Sequence, residues 1–252
     1  MILRKQETPW YHRCFGTDYL QLYPHRSAKE AAQTIRWLVG ELGLQPPCRV
    51  LDMACGSGRH SAELIQRGFQ TVGLDLSWPL LRAAARTAEL GRLLRVRGDM
   101  RLLPLRSGRF DAVLSLFTSF GYFESKDEDL QVLHEVARAL RPGGAFVLDF
   151  LNAPLVRREL VQREESSRDG RQVIIERWVD EAKKRVEKLI TVRDRGGIER
   201  QYRESVSLYD EEDLGCMFEQ AAIKPQRKFG DYLGAEYTDK SPRLILIGVR
   251  SV

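Results

Sequence analysis

Residues 49–61 restrict what this 252-residue chain can fold into more than any other stretch. Val50, Leu51 and Met53 read as a short buried strand, Arg49–Met53, with Asp52 near its carboxyl end. The turn Ala54-Cys55-Gly56-Ser57-Gly58 follows, and a helix-forming stretch opens at Arg59. Glycine has no Cβ, so Gly56 and Gly58 let the backbone turn sharply and approach a ligand closely. The emerging helix presents unpaired N–H groups and a positive dipole end. In open α/β sheets, ligands bind in the crevice beyond the carboxyl ends of the strands. A strand–turn–helix corner of this kind predicts a cofactor site.

The chemistry of the corner separates the candidate cofactors. A dinucleotide fingerprint needs a small Gly or Ala three residues after its second glycine, where helix and strand pack closely. Here that position is Ser61, preceded by the bulky Arg59 and His60. A P-loop needs Lys followed by Ser or Thr after its last glycine, and neither follows Gly58. Further carboxylates recur at strand ends. Asp75 closes a second apolar run, residues 71–76, seventeen residues after Gly58, where it can accept hydrogen bonds from both hydroxyls of a ribose. A third run at 93–96 leads into Gly98-Asp99-Met100, a fourth spans 110–116, and Pro142-Gly143-Gly144 precedes a fifth at 145–151.

Asp52-x-x-x-Gly56-x-Gly58 after a strand, with Asp75 and Asp99 at these distances, resembles motif I and the downstream elements of the class I S-adenosylmethionine-dependent methyltransferases. The resemblance implies S-adenosylmethionine as cofactor, held by Asp52, Ala54, Cys55, Gly56, Gly58, Asp75, Leu76, Asp99, Met100 and Leu116. In that family the acid at Asp99 contacts the adenine amino group, and the apolar residue after it lies against the ring. The thiol of Cys55 reads as a small residue facing the backbone rather than a nucleophile.

Helices alternate with these strands. Ser27 and Glu30 form a capping box before Ala28–Leu42, and Ser125 with Glu128 repeats it before a helix reaching residue 140. Further helices are expected at 59–67, 79–90 and 210–222, and closing strands at 227–232 and 244–249. Alternation of this kind predicts an α/β fold, a doubly wound Rossmann-like methyltransferase sheet, mostly parallel with an antiparallel final strand. Between residues 172 and 208 three strand-like runs (172–179, 185–192, 200–208) occur without an intervening helix, which predicts a small antiparallel β insert. The expected division is a helical, aromatic lid at 1–45, a cofactor-binding core at 46–155 and 210–252, and an acceptor lid at 156–209. An insert after the fifth strand resembles the small-molecule branch of the family, which includes glycine N-methyltransferase and the nucleotide-sugar N,N-dimethyltransferases.

Composition narrows the partners. Hydrophobic residues at 43% and charged residues at 30% are globular values. No apolar run reaches the length of a membrane span, and the first residues lack a signal peptide's apolar core. Four scattered cysteines point to a reducing cytoplasm, and no metal-ligand spacing is present. The net charge of +5 is concentrated between residues 81 and 110, where eight arginines face Glu89 and Asp99. That stretch lacks the interleaved aromatics of a single-stranded nucleic-acid surface, so a nucleic-acid partner is not expected. The sequence leaves monomer and homodimer open.

For the acceptor side, the run Phe117-Thr118-Ser119-Phe120-Gly121-Tyr122-Phe123 follows the fourth strand and lacks the Asn/Asp-Pro-Pro-aromatic motif of exocyclic-amine methylases. Tyr11, Tyr23, Arg26, Phe120, Tyr122 and Asn152 are the expected acceptor-binding residues. The reaction implied is methyl transfer to an N, O or C atom of a small molecule. An oxygen or carbon acceptor calls for a general base, for which Tyr122, His12, His25 and Tyr19 are candidates. An RNA or protein methyltransferase and a non-catalytic S-adenosylmethionine-binding protein remain the alternatives.

Overall fold

The computed structural model describes residues 8–16, 18–22, 27–86, 91, 93–168 and 170–251. Its centre is a seven-stranded sheet in the order β10-β11-β5-β4-β1-β2-β3, made of β1 (Arg49–Met53), β2 (Gln70–Asp75), β3 (Leu94–Arg97), β4 (Phe110–Ser115), β5 (Leu140–Phe150), β10 (Ile223–Phe229) and β11 (Leu244–Arg250). The pairs from β3 through β5 are parallel, whereas β11 runs antiparallel to both β5 and β10. The mostly parallel sheet with a reversed final strand is the expected one.

Alternation along the central strands divides the core into two faces. Ala112, Leu114 and Val50 pack with Ile35 and Leu38 of α3 (Ala28–Leu42) and Leu64 of α4 (Arg59–Gln66). Leu51, Met53 and Val113 pack on the other face with Val132 and Val136 of α6 (Lys126–Ala139) and Met217 and Phe218 of α8 (Glu211–Gln220). Burying a side chain of this size is worth about 1.5–3 kcal/mol. Both faces must therefore be covered, and helices on both sides do so. Both serine N-caps read from sequence are present, but only the second completes its box, because Glu30 pairs with Arg59 instead. The Ser27 Oγ accepts from the Glu30 N–H, and Ser125 and Glu128 make a complete capping box.

A second, four-stranded antiparallel sheet leaves the core after α7 (Ala153–Glu159). It comprises β6 (Arg163–Arg168), β7 (Arg171–Asp180), β8 (Arg185–Arg193) and β9 (Glu199–Ser207). Three of its strands were legible; β6 was not. Its sequence Arg-Glu-Glu-Ser-Ser-Arg has no apolar alternation, because an edge strand held by backbone pairing to β7 needs none. Two other boundaries differ from expectation. Helix α5 (Trp78–Ala84) is shorter than 79–90, with Ser77 as N-cap and residues 87–90 outside the described ones. Strand β10 begins at Ile223 rather than 227, since the buried Ile223 continues the pairing with β11. Short helices α1 (Trp10–Cys14) and α2 (Tyr19–Leu22) precede α3, and α1 packs on β9. Among the described residues no helix is long and apolar enough to cross a membrane.

Candidate active site

The glycine turn takes its shape from positive φ angles. Ala54 (57°), Gly56 (57°) and Gly58 (81°) all lie in the left-handed region, and Gly58 is the N-cap of α4. Asp75 fastens this turn to the end of β2. Its carboxylate accepts the Gly56 N–H at 2.8 Å and the Ser77 N–H at 2.7 Å, and burial pushes its pKa up. Asp52 is buried beneath the turn and accepts the Ser61 hydroxyl at 2.5 Å. Burial raises the Asp52 carboxyl to about 6; the Ser61 hydroxyl works against the rise and the nearby Asp75 charge adds to it. Ser61, out of place in a dinucleotide fingerprint, thus has a role as the buried carboxylate's donor.

Cys55 packs against Gly73 of the neighbouring strand, where a Cβ would stand 2.9 Å from the Cys55 Sγ. Burial raises its thiol well above the ordinary value, which disfavours the thiolate a nucleophile needs. At the end of β3, Asp99 accepts from the Arg101 backbone N–H at 2.9 Å and from its guanidinium at 2.6 Å. Burial acts to raise the Asp99 pKa, but the Arg101 hydrogen bonds and charge outweigh it and hold it below the ordinary value. Arg101 also lies 4.3 Å over the Phe123 ring, so this arginine of the basic stretch is committed to the site wall.

Aromatic residues from the N-terminal segment and from the middle of the chain close over the corner. Tyr122 meets Trp10 edge-on, with centroids 5.0 Å apart, and stacks on Phe15 at 5.6 Å. Tyr19 meets Phe15 edge-on at 5.0 Å, and Tyr11 meets Phe123 at 5.6 Å. The Trp10 indole N–H donates to the Tyr122 carbonyl, and the Ser77 hydroxyl donates to the Phe15 carbonyl. The second bond ties the aromatic segment to Ser77, two residues past the end of the Asp75 strand.

Beneath this lid lies a cavity of about 620 Å³, within the usual range for small-molecule sites. Asp52, Ala54, Cys55, Gly56, Asp75, Leu76, Asp99, Met100 and Leu116 all line it; Gly58, the N-cap of α4, does not. Tyr11, Tyr19 and Tyr122 line it as well. His12 is exposed and packs on the Tyr11 ring instead. Phe120 is buried in the core against Phe150 and Tyr209, away from the cavity. Asn152 is also turned away. Its amide donates to the Thr238 and Ser241 carbonyls and accepts from the Tyr237 hydroxyl. Tyr23, His25 and Arg26 lie outside the described residues.

Residues 50–144 match the family profile described as a methyltransferase domain. Residues 50–144 thus form a methyltransferase domain. The chain is 34% identical over 119 residues to the glycine/sarcosine N-methyltransferase of Halorhodospira halochloris, covering 46% of this chain and 44% of that protein. It is 37% identical over 101 residues to the dTDP-3-amino-3,4,6-trideoxy-alpha-D-glucopyranose N,N-dimethyltransferase of Streptomyces venezuelae, covering 40% of this chain and 41% of that protein. The chain thus spans less than half the length of either relative. In fold, it resembles an S-adenosylmethionine-dependent methyltransferase from Clostridium acetobutylicum with a TM-score of 0.80 at 19% identity, over 93% of this chain and 98% of that one.

The methyltransferase domain also contains a strained pair that no sequence signal revealed. Phe117 and Thr118, just past β4, have φ of 56° and 60°. Two such residues in succession, one of them β-branched, are held only where the surroundings over-determine them. The fully buried Asp149 does this. It accepts the Phe117 N–H at 2.7 Å, the Tyr232 hydroxyl at 2.6 Å and the Arg243 Nε at 2.6 Å. Arg243 in turn donates to the Thr118 hydroxyl, and Arg59 covers the Phe117 ring at 4.0 Å. Arg177, Lys188 and Glu204 of the small sheet complete the unanticipated part of the cavity wall. Their signal was present as an apolar alternation, Val186, Ile190 and Val192, broken at Lys188.

Proposed function

We propose that the protein transfers the methyl group of S-adenosylmethionine to an N, O or C atom of a small molecule, in the manner of the small-molecule branch of its family. The observation that carries this reading is the cavity itself. It joins the motif I corner to Tyr122 and to the small sheet, and the aromatic lid roofs it. A polymer acceptor needs an open groove. A walled cavity of about 620 Å³ suits a metabolite beside the cofactor. The glycine/sarcosine and amino-sugar methyltransferases that this chain resembles act, by name, on acceptors of that size.

The donor set fits the cofactor. S-adenosylmethionine, when bound, supplies an electrophilic methyl group on a cationic sulfur. Asp52 and Asp75, buried where their charge is costly, offer negative partners to a cationic ligand. Asp75 retains acceptor capacity for ribose hydroxyls beyond its two backbone bonds. Asp99 and Met100 form the adenine end, and Leu116, Phe117 and Tyr122 surround the place where acceptor and donor meet. The aromatic helices α1 and α2 and the small sheet β6 to β9 serve as the acceptor lid, excluding water and aligning the nucleophile, which supplies much of the rate in such a transfer. Helix α3, expected in the lid at 1–45, belongs to the core instead. Tyr19 and Tyr122, which line the cavity, are the residues placed to serve an oxygen or carbon acceptor.

Calorimetric titration with S-adenosylmethionine, S-adenosylhomocysteine and NAD is the first test, followed by a screen for labelled methyl transfer to metabolite amines, alcohols and carbon acids. Binding of both adenosyl ligands without NAD, together with transfer to a metabolite, is the expected result. Folded protein that binds neither adenosyl ligand refutes the reading.

A further inference from the structure

On the face of the small sheet that lines the cavity, residues pair across β7, β8 and β9 in rows. Val179, Val186 and Val206 form one row. Arg177, Lys188 and Glu204 form the next, and Ile175 and Ile190 continue the face on the far side. A charged row therefore lies between apolar ones. The Lys188 Nζ is 3.1 Å from the Glu204 carboxylate, and their side chains are only 15% and 17% exposed. Arg177 beside them is 21% exposed and reaches Glu164 of β6 at 2.8 Å.

An ion pair at such a depth is costly to desolvate and is often no more stabilising than an apolar pair of similar volume. The rows on either side show that this sheet accommodates Val and Ile at neighbouring positions. The charged row is thus better explained by recognition than by stability. Two cations and one carboxylate of this row line the cavity, and the second carboxylate, Glu164, holds Arg177 from outside the lining. At the opposite end of the cavity stand Asp52 and Asp75, with Asp99 held by Arg101, while the other cations there, Arg59 and Arg243, are engaged by Glu30 and Asp149. An anion in the cavity is repelled from the strand ends and drawn to the small sheet.

We propose that Lys188 and Arg177 form an acceptor subsite for an anionic group, a carboxylate or a phosphate, leaving the nucleophilic atom of the acceptor at the Tyr122 end. Glu204 is the positioning partner. It holds the Lys188 ammonium and also accepts from the Cys14 thiol of α1 at 3.5 Å, so the lid helix and the subsite are set together. This subsite rests on the methyltransferase reading above and adds the charge of the acceptor to it.

The test uses the full chain saturated with S-adenosylhomocysteine and titrated with acetate and, separately, inorganic phosphate at constant ionic strength made up with chloride. Melting temperature is the readout. Saturable stabilisation by one of the anions is expected, and the one that acts identifies the acceptor's charged group. In Lys188→Met the apparent dissociation constant rises roughly tenfold or more, as for loss of a hydrogen bond to a charged group. The double variant Lys188→Met/Glu204→Gln, which leaves no unpaired charge, shows the same loss, while S-adenosylhomocysteine affinity stays at the wild-type level. Absence of saturable stabilisation by either anion, or equal anion affinity in wild type and both variants, overturns the subsite. Failure to bind S-adenosylhomocysteine is a different result and overturns the functional reading beneath it.

Discussion

The two walls of the cavity are built by different means. The wall proposed to hold the cofactor is mostly backbone at the carboxyl ends of β1, β2 and β3, shaped by positive φ at 54, 56 and 58 and fastened by one carboxylate, Asp75. The wall proposed for the acceptor is side chains brought from distant segments: the aromatics of α1, Tyr122 past β4, and the inner face of β7 to β9. A wall made of backbone needs particular residues at fixed short spacings, so it is written locally. A wall made of side chains depends on strand register and packing, so it is written only in the folded chain.

Removing Asp75 should separate the walls most sharply. Asp75→Ala deletes the acceptor of the Gly56 and Ser77 N–H groups together with the partner proposed for the ribose. Each hydrogen bond to a charged group is worth about 1.5–3 kcal/mol, so cofactor affinity should fall by roughly 100-fold or more. Calorimetry with S-adenosylhomocysteine and circular dichroism on the same sample measure the two effects. Native affinity in a folded variant removes Asp75 from the cofactor wall.

The acceptor wall has its own fastening. The Arg185 guanidinium donates to the Phe123 carbonyl at 2.7 Å, to the Ser207 hydroxyl at 2.8 Å and to the Ser205 hydroxyl and carbonyl at 2.7 Å. It thereby joins the small sheet to the segment that carries Tyr122. Arg185→Ala should destabilise the protein by about 2–4 kcal/mol, because buried carbonyls lose their donor. Arg185→Lys should recover only part of this, since an ammonium cannot reproduce the fork. Chemical denaturation reads the loss. If the walls are independent, S-adenosylhomocysteine affinity at low denaturant stays near wild type, and an equal loss in both would show that they form one unit.

The same division explains what could be read before folding. Gly56, Gly58, Asp75 and Asp99 were legible because each follows a strand at a spacing set by the strand–turn–helix unit, and Ser27, Ser125 and Glu128 because capping is local. Lys188 and Glu204 were not, although the break in alternation at Lys188 was visible. Only the β8–β9 register makes them opposite one another. Phe120 was expected at the acceptor on the strength of its neighbours. The turn through Gly121, with φ of 79°, directs it instead onto Phe150 in the core. Asn152 was expected to orient an acceptor or cap a helix, but its partners at 237–241 lie more than eighty residues downstream and no local pattern announces them.

Titration distinguishes the walls more finely. Burial holds the Asp52 pKa near 6, and a cationic cofactor favours its charged form. Binding below about pH 6 must then expel a proton. Affinity for S-adenosylmethionine should fall as pH drops through 6, by up to about tenfold per pH unit, and the slope should be smaller for S-adenosylhomocysteine, which lacks the sulfonium charge. Calorimetry in buffers of different ionisation enthalpy counts the proton. A flat profile from pH 5 to 8 would take Asp52 out of contact with the ligand's charge.

The smallest effect belongs to a group buried behind the acceptor wall. Asp129 of α6 is fully buried, accepts the Tyr209 hydroxyl at 2.9 Å, and is pushed by that burial to about 6. Its folded pKa lies above the unfolded value, so between the ordinary carboxylate range and pH 6 the folded chain binds more protons than the unfolded one. The stability this group contributes is present in full below the unfolded pKa and is lost as pH rises through 6. Asp129→Asn removes that dependence while keeping an oxygen for Tyr209. Relative to wild type, the variant should gain about 1 kcal/mol between pH 5 and pH 8, measured as the change in the difference of unfolding free energies. Because Asp129 contacts the insert strand β9 through Ser207 and lies outside the cavity lining, cofactor affinity should follow the same pH curve in variant and wild type. A stability difference that does not change with pH would mean that the carboxyl is already ionised at pH 5, with the Arg185 charge outweighing the burial that separates Asp129 from solvent.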